Sequence, residues 1–230
     1  MTDQVESLRR VSDAAARLDR APAQEVVRWA VDEFGDELCV ASSMQTAVLE
    51  DLVSRVRPGV PVVFLDTGYH FAETLGTRDA VAAGYPVRLL DVRPVQTVAE
   101  QDAEYGPRLH DRDPDLCCAL RKVQPLERAL APYRAWITGL RRADSPSRAR
   151  TPVVEWDARR SMVKVNPIAT WSDEQLADYV EQHGVLANPL LQLGYPSIGC
   201  APCTRAVAPG EDPRAGRWAG RGKTECGLHA

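Results

Sequence analysis

Five of the six cysteines in the chain occur at three places whose spacing suits chemistry. Cys117 and Cys118 are adjacent, and Cys200 and Cys203 enclose an Ala-Pro dipeptide. Cys226 lies near the C-terminus in the segment Thr-Glu-Cys-Gly-Leu-His. Thiolates are both metal ligands and the nucleophilic form of cysteine. The pattern therefore predicts a metal-binding core together with a separate reactive thiol.

The two cysteine pairs, Cys117-Cys118 and Cys200/Cys203, are expected to bind a metal centre, because cysteine pairs in a reducing compartment are seldom structural disulfides. Adjacent cysteines on a helix point about 100° apart, since an α-helix has ~3.6 residues per turn. That divergence suits a [4Fe-4S] cluster better than one small zinc ion. Lys122, one turn beyond Cys118, places a positive charge beside the centre. The alternative is two buried pairs without a metal.

The residues around Cys226 favour a reactive thiol that meets an anion. Arg214 and Arg217 precede it, and Lys223 lies closer still. Arginine recognises sulfate and phosphate through paired hydrogen bonds, and neighbouring cations lower the pKa of a thiol. His229 is a candidate for an assisting side chain, with a frayed chain end as the alternative. An incidental cysteine is the alternative for Cys226 itself.

Alternating strands and helices are predicted to position these residues. The predicted strands are 37–43, 60–65, 85–92 and 133–139, and the predicted helices between them are 46–56, 71–83, 95–105 and 117–130. One or two surface helices precede them, and a short hairpin and a helix capped by Ser172 follow. This alternation indicates an α/β fold with a parallel sheet flanked by helices. Cys39, in the middle of the first strand, is expected to be an inert buried thiol.

Three loops at the C-terminal edge of this sheet, where ligands bind in such folds, carry candidate nucleotide contacts. Ser42 and Ser43 precede a helix, and hydroxyls with free N–H groups there bind anions, with an ordinary helix cap as the alternative. The loop at 65–68 is either a nucleotide contact or a structural turn. The loop at 139–150 is rich in arginine. The candidate substrate-binding residues are Ser42, Ser43, Leu65, Thr67, Lys122, Gly139, Arg148, Arg214 and Arg217, with Arg150 as the alternative to Arg148.

Composition limits the classes of function. The 230 residues are 44% hydrophobic and 26% charged, and they contain no apolar run long enough to span a bilayer. The N-terminal residues lack the pattern of a signal peptide, which predicts a cytoplasmic location. A net charge of −4 argues against general nucleic-acid binding, and local arginine clusters fit a small anion. No membrane partner is expected, and homo-oligomerisation is left open.

Several segments resemble the assimilatory adenylylsulfate (APS) reductases, the iron–sulfur cluster-containing type of the PAPS reductase family. Besides the Ser-rich loop, they are Leu-Asp-Thr-Gly at 65–68, Cys-Cys-x-x-Arg-Lys-Val at 117–123, Trp-x-Thr-Gly-x-Arg-Arg at 136–142, Gly-Cys-x-Pro-Cys-Thr at 199–204 and Glu-Cys-Gly-Leu-His at 225–229. The Ser-rich loop also resembles the altered phosphate loop of the PP-loop superfamily, without its Gly-Gly core. The resemblance implies a PP-loop (adenine nucleotide alpha hydrolase-like) fold. We expect one nucleotide-binding domain with the cluster site over 1–205 and a mobile Arg/Gly-rich tail over 206–230.

The resemblance also implies a reaction. Cys226 would attack the sulfur of APS and form an S-sulfocysteine, which thioredoxin would reduce to release sulfite, in assimilatory sulfate reduction and cysteine biosynthesis. The implied cofactor is a [4Fe-4S] cluster on Cys117, Cys118, Cys200 and Cys203. A 3′-phospho-APS (PAPS) reductase is one alternative, although known relatives specialised for that substrate mostly lack the cysteine pairs. Another is a non-enzymatic nucleotide-binding protein with structural zinc.

Overall fold

A six-stranded sheet lies at the centre of residues 2–229, the part of the chain that this computed structural model describes, with side chains described for residues 8–229. The strands are β1 (Leu38–Ser42), β2 (Val60–Leu65), β3 (Val87–Val92), β4 (Ala135–Ile137), β5 (Val154–Asp157) and β6 (Met162–Val165). The helices are α1 (Thr2–Leu18), α2 (Ala23–Phe34), α3 (Val48–Val56), α4 (Ala72–Gly84), α5 (Val98–Tyr105), α6 (Leu109–Arg112), α7 (Pro114–Cys118), α8 (Gln124–Leu130) and α9 (Asp173–His183). No helix among these residues is long and apolar enough to cross a membrane.

The strand order is β3-β2-β1-β4-β6-β5. All neighbouring pairs are parallel except β5 with β6, which is antiparallel. The chain runs from β1 outward through β2 to β3 and then returns to β4 on the other side of β1. This reversal makes a crevice at the C-terminal ends of β1 and β4, where open α/β sheets bind ligands. The predicted α/β fold with a mostly parallel sheet is confirmed.

Alternate residues of the strands pack into two apolar layers, one on each face of the sheet. Val40 and Val62 belong to a large cluster that also takes in side chains of α1, α2, α3 and α9. Cys39, Val63 and Trp136 belong to a smaller cluster with side chains of α8. Successive side chains of a strand point to opposite faces, so neighbours such as Cys39 and Val40 enter different layers. As predicted, Cys39 is a fully buried free thiol, and burial raises its pKa far above the usual range.

The predicted single helix over 117–130 is wrong in one respect. Helix α7 ends at Cys118, a wider π-helical turn spans Ala119–Val123, and α8 then begins. Pro125 lies in the first turn of α8 and has no N–H with which to continue the regular hydrogen-bond ladder, so the turn before it widens. This turn carries Lys122.

The C-terminal segment, 206–229, packs on the α/β domain. Its Trp218 is 2% exposed, and the Trp218 N–H donates to the carbonyl of Cys203 at 3.0 Å. Thr204 and Arg217 form an isolated β-bridge. The predicted tail is therefore docked in this structure, and its mobility stays a prediction.

Glu50, in the first turn of α3, provides a test of the fold through pH. It is fully buried, and neither carboxylate oxygen has a hydrogen-bond partner among the described residues. Burial raises the pKa of Glu50 to about 7, and the neighbouring Ser42 hydroxyl offsets this only partly. An unfolded glutamate titrates near ~4.3. The stability linked to this proton is therefore complete below the unfolded pKa and is lost as pH rises through about 7.

We expect Glu50→Gln to remove this pH dependence, because the amide keeps the size of the side chain and does not titrate. The free energy of unfolding of the variant minus that of the wild type should rise by about 3 kcal/mol between about pH 5 and about pH 8. Urea unfolding at the two pH values measures the difference. Parallel pH dependence of the two proteins would contradict the assignment.

Candidate active site

A cavity of about 370 Å³ opens at the C-terminal ends of β1, β2 and β4. The loops that follow these strands form one side of it, and the docked tail forms the other. The nine candidate substrate contacts line this cavity together with the cysteine predicted to be reactive: Ser42, Ser43, Leu65, Thr67, Lys122, Gly139, Arg148, Arg214, Arg217 and Cys226. Arg150 is exposed and outside the lining, so of these two alternatives it is Arg148 that faces the cavity.

The loop between β1 and α3 presents two hydroxyls to the cavity. Helix α3 has Ala47 at its N-cap position, with no side chain capping it. The alternative prediction, that Ser42 or Ser43 is an ordinary cap, is therefore wrong. Ser42 instead accepts a hydrogen bond from the Met44 N–H at 3.3 Å, in a turn where Met44 takes the unusual φ of 58°.

Two side chains missed by sequence reasoning hold this loop in place. Asn188 donates from Nδ2 to the Met44 carbonyl at 3.2 Å. Gln45 donates from Nε2 to the Pro196 carbonyl at 3.2 Å and accepts from the Ile198 N–H at 3.1 Å. The partners lie far apart in sequence, so no local pattern connects them. The loop is thereby joined to the segment that leads to Cys200.

The loop after β2 is fixed by its own contacts and also touches the cysteine pocket. His70 hydrogen-bonds through Nε2 with the Leu65 carbonyl at 2.8 Å and packs on Phe64. Thr67 is 1% exposed, and its hydroxyl lies 3.3 Å from the Cys200 sulfur rather than free in the cavity. Gly68 has φ of 72°, so the tight turn predicted from sequence is present.

Two arginines of the cavity bind a carboxylate of the tail. Arg148 donates to both oxygens of Glu225, from Nε at 3.0 Å and from Nη2 at 2.8 Å. Arg214 Nη2 lies 3.2 Å from Glu225 Oε2. Burial would raise the pKa of Glu225, but its hydrogen bonds and charge interaction with Arg148, and then the charge of Arg214, lower it below the usual range. Glu225 is therefore ionised, and sequence reasoning did not find it.

Arg217 reaches the cavity by passing close to Gly199, where any larger residue would place a Cβ in its path. Its Nη1 donates to the Ser197 hydroxyl at 3.2 Å and to the Ile198 carbonyl at 3.3 Å. Its guanidinium lies 4.5 Å from the centre of the Trp218 ring. A Cβ added at Gly199 would lie 2.4 Å from Arg217 Nη2. Glycine at position 199 is thus a condition for this placement of the arginine.

The four paired cysteines line a second, small pocket that adjoins the cavity. Cys117 and Cys118 end α7, and Cys200 and Cys203 flank a short turn. Burial, and then the neighbouring thiols, raise the pKa of Cys117 to about 12. Burial likewise raises the pKa of Cys118 to about 11. Thiols of this kind lose their protons readily only to a metal.

The donor set of this pocket is four cysteine sulfurs, the donors that both structural zinc sites and iron–sulfur clusters use. Among the described residues, no group of three or more Cys, His, Asp or Glu side chains is placed to hold a single metal ion. Two of the sulfurs also contact polar side chains. The Thr67 hydroxyl lies next to the Cys200 sulfur, and Arg221 Nη1 lies 3.7 Å from the Cys203 sulfur.

Lys122 lines both the cavity and the cysteine pocket. It has no carboxylate partner among the described side chains. Burial would lower the pKa of Lys122, but its electrostatic interactions with Cys200 and then with Cys226 outweigh this and raise it. Lys122 is therefore the cation between the paired cysteines and Cys226.

The end of the tail is packed, not frayed. His229 stacks on Trp136 with ring centres 5.6 Å apart and planes 9° from parallel. Leu228 packs in the same apolar layer. Burial, and then the positive charge of Lys164, lower the pKa of His229 well below its usual range. His229 is thus neutral at neutral pH, and in the chain Cys226 lies between two residues with fixed contacts, Glu225 and His229.

Comparisons with known proteins give consistent results. Residues 37–206 match the family described as "Phosphoadenosine phosphosulfate reductase domain". The chain is 65% identical over 225 residues to the "Adenosine 5'-phosphosulfate reductase" of Streptomyces coelicolor, covering 97% of this chain and 95% of that protein. It is 57% identical over 215 residues to the protein of the same name from Mycolicibacterium smegmatis, covering 94% and 91%.

Solved structures match the same fold. The crystal structure of phosphoadenylyl-sulfate (PAPS) reductase from Candida auris, as a phosphate complex, gives a TM-score of 0.72 at 30% identity and covers 86% of this chain and 96% of that one. Yeast FAD synthetase in complex with FAD gives a TM-score of 0.56 at 13% identity, covering 89% and 75%. At that identity the likeness concerns the fold alone.

Proposed function

The chain belongs to the phosphoadenosine phosphosulfate reductase family, and from this premise we propose that it is an APS reductase of sulfate assimilation that acts through Cys226. Relatives that are 65%, 57% and 54% identical over nearly the whole chain are named for that activity. The observation that carries the role of Cys226 is its position in one cavity with four arginines and Lys122.

The first step is attack of the Cys226 thiolate on the sulfate sulfur of APS. A bond forms between the two sulfur atoms, the S–O bond to the phosphate breaks, and AMP leaves with the bonding electron pair. The enzyme is left as an S-sulfocysteine. Arg148, Arg214, Arg217 and Lys122 are suited to bind the phosphosulfate oxygens and to stabilise the charge that develops on the leaving phosphate.

The second step needs an external dithiol, for which we propose thioredoxin. One thiolate of the dithiol attacks the Cys226 sulfur and sulfite leaves with the electron pair of the S–S bond. The second thiol then closes a disulfide within the reductant and frees Cys226, so the two electrons come from the dithiol. The tail must leave the cavity for this encounter, because Cys226 cannot face a buried nucleotide and a partner protein at once.

Cys117, Cys118, Cys200 and Cys203 would hold a [4Fe-4S] cluster in the small pocket. When bound, the cluster would help to position and polarise the substrate rather than carry electrons. Lys122 links the two sites, since it lines both. A cytoplasmic location belongs to the same proposal, because dithiol reductants stay reduced there.

A PAPS reductase is the second candidate, because the Candida auris structure carries that name. It is less favoured, since that protein is 30% identical, against 65% for the relative from Streptomyces coelicolor named for APS.

Intact-protein mass spectrometry tests both the reaction and the substrate. Metal-loaded protein, purified anaerobically and mixed with APS without reductant, should gain one SO₃ group. Reduced thioredoxin should remove that group and release sulfite. The same assay with PAPS decides between the two nucleotides. If neither nucleotide gives an adduct, the reductase proposal fails and the non-enzymatic nucleotide-binding protein remains as the alternative.

Gly199→Ala is expected to raise the KM for APS about tenfold, because the new methyl group displaces the Arg217 guanidinium from its place. The protein should stay folded, since Arg217 is a flexible side chain. Steady-state kinetics measure the effect. Gly222→Ala is the matched control, because a Cβ there meets nothing within 4 Å. Equal KM values for the two variants would refute this role of Gly199.

A further inference from the structure

The arginines assigned to the substrate are not free in this structure. Arg148 and Arg214 both bind Glu225, the residue immediately before the reactive thiol. The side chains of Arg148 and Glu225 are 16% and 33% exposed. A mostly buried guanidinium is costly to leave without a counter-ion, so an anion that reaches this site exchanges with the carboxylate instead of joining a vacant arginine pair.

The geometry of the contact resembles that of an oxyanion ligand. A carboxylate offers two oxygens in one plane to the Arg148 fork, as an edge of sulfate or phosphate does. Both oxygens of Glu225 are used by Arg148, and Oε2 is shared with Arg214. The site therefore has the shape and charge for the phosphosulfate group of a nucleotide.

We propose that Glu225 is the resting occupant of an oxyanion site formed by Arg148 and Arg214, and that the phosphosulfate group of the nucleotide displaces it on binding. This rests on the proposed function of the cavity. Glu225 neutralises the two arginines without substrate and leaves them when substrate arrives.

The remaining contacts of the two arginines support displacement. Arg148 keeps a second carboxylate, Asp144, at 3.1 Å from its Nη1, so its place does not depend on Glu225. Asp144 is itself held by Arg141 at 2.9 Å. Arg214, by contrast, donates to the Thr224 carbonyl at 2.9 Å, within the same tail segment. Departure of Glu225 thus leaves a preorganised Arg148 and releases the tail residues around it.

Displacement also bears on the thiol. Consecutive Cα atoms are ~3.8 Å apart, so the side-chain contacts of Glu225 with the arginines hold the residue that is bonded directly to Cys226. Substrate entry thereby removes a contact that anchors the chain next to the nucleophile. The opposite arrangement, in which Glu225 stays and orients the arginines around the substrate, predicts the opposite effect on affinity.

Calorimetric binding of APS in a Cys226→Ser background, which prevents turnover, separates these arrangements. Adding Glu225→Gln should tighten APS binding about tenfold, because no carboxylate competes for the arginines. Glu225→Asp keeps the charge but falls short of the arginines, and should also tighten binding. Glu211→Gln is the matched control: it removes a tail carboxylate that pairs with Arg205 outside the cavity. Glu211→Gln should leave the affinity for APS unchanged. All of the variants should bind uncharged adenosine with the affinity of the parent protein.

Unchanged or weaker APS binding in Glu225→Gln would overturn the proposal. The proposal would also be overturned if Glu225→Gln tightened APS binding while Glu225→Asp kept the parent affinity. That pattern would reflect the charge at position 225 acting through space, not direct competition for the arginines. Failure of the parent protein to bind APS at all would instead count against the proposed function.

Discussion

Replacing Cys226 with serine is expected to lower the rate of APS reduction by at least about 10³-fold and to abolish the SO₃ adduct. A serine hydroxyl stays protonated in this cavity and cannot form the sulfur–sulfur bond on which the proposed reaction depends. Sulfite release with thioredoxin as reductant, and intact mass after mixing with APS alone, measure the two effects.

The same variant should still bind APS, because the substitution changes one atom and leaves the arginines and Lys122 in place. Binding without turnover distinguishes loss of the nucleophile from loss of the fold. The other five cysteines cannot easily replace Cys226: four line the small pocket, and Cys39 lies buried in β1. An SO₃ adduct that persists in Cys226→Ser would therefore move the chemistry to one of the paired cysteines and refute the assignment.

Cys200→Ala is expected to remove the metal centre and, with it, activity, by about 100-fold or more. Cys200 is one of four proposed ligands, and its sulfur contacts the Thr67 hydroxyl. It also follows Gly199, against which Arg217 packs, so its loss affects both pockets. Iron content, acid-labile sulfide and the brown colour of the purified protein report the metal, and sulfite release reports activity.

Cys39→Ala is the matched control for this experiment. Cys39 is also a free and buried thiol, but it lies in β1 within the apolar layer next to Trp136. Its replacement should cost about 1 kcal/mol of stability and leave iron content and activity at the wild-type level. Iron retained in Cys200→Ala would mean that Cys200 is not a ligand. Iron lost in both variants would point to general unfolding instead.

Much of the site could be predicted because parallel strands gather their C-terminal ends at one edge. Buried apolar runs locate β1, β2 and β4, and the residues after them necessarily meet there. Ser42, Gly139 and Arg148 could thus be named without knowing any contact. Both cysteine pairs were equally visible, since their residue type and spacing already indicate metal binding.

What could not be predicted depends on contacts between distant segments. Glu225 meets Arg148 across 77 positions of the chain, and an acidic residue in a tail has no local feature that reveals such a partner. The amide of Gln45 bonds to Ile198 across 153 positions. The π-helical turn at Ala119–Val123 was missed for a different reason. Helical periodicity continues on both sides of it, and only Pro125 hints at the extra residue.

The hydrogen bonds of Gln45 have a consequence for how the enzyme matures. The loop after β1 and the segment ending at Cys200 form one connected unit, because the Gln45 amide bonds to Pro196 and Ile198. With the proposed cluster, a newly made chain that had not yet received its iron would lack the anchor at Cys200, and the loop would lose the neighbour that shapes it. Such a chain should bind nucleotide poorly as well as fail to react. In a cell short of iron, these incomplete copies would then not compete for APS with the complete ones.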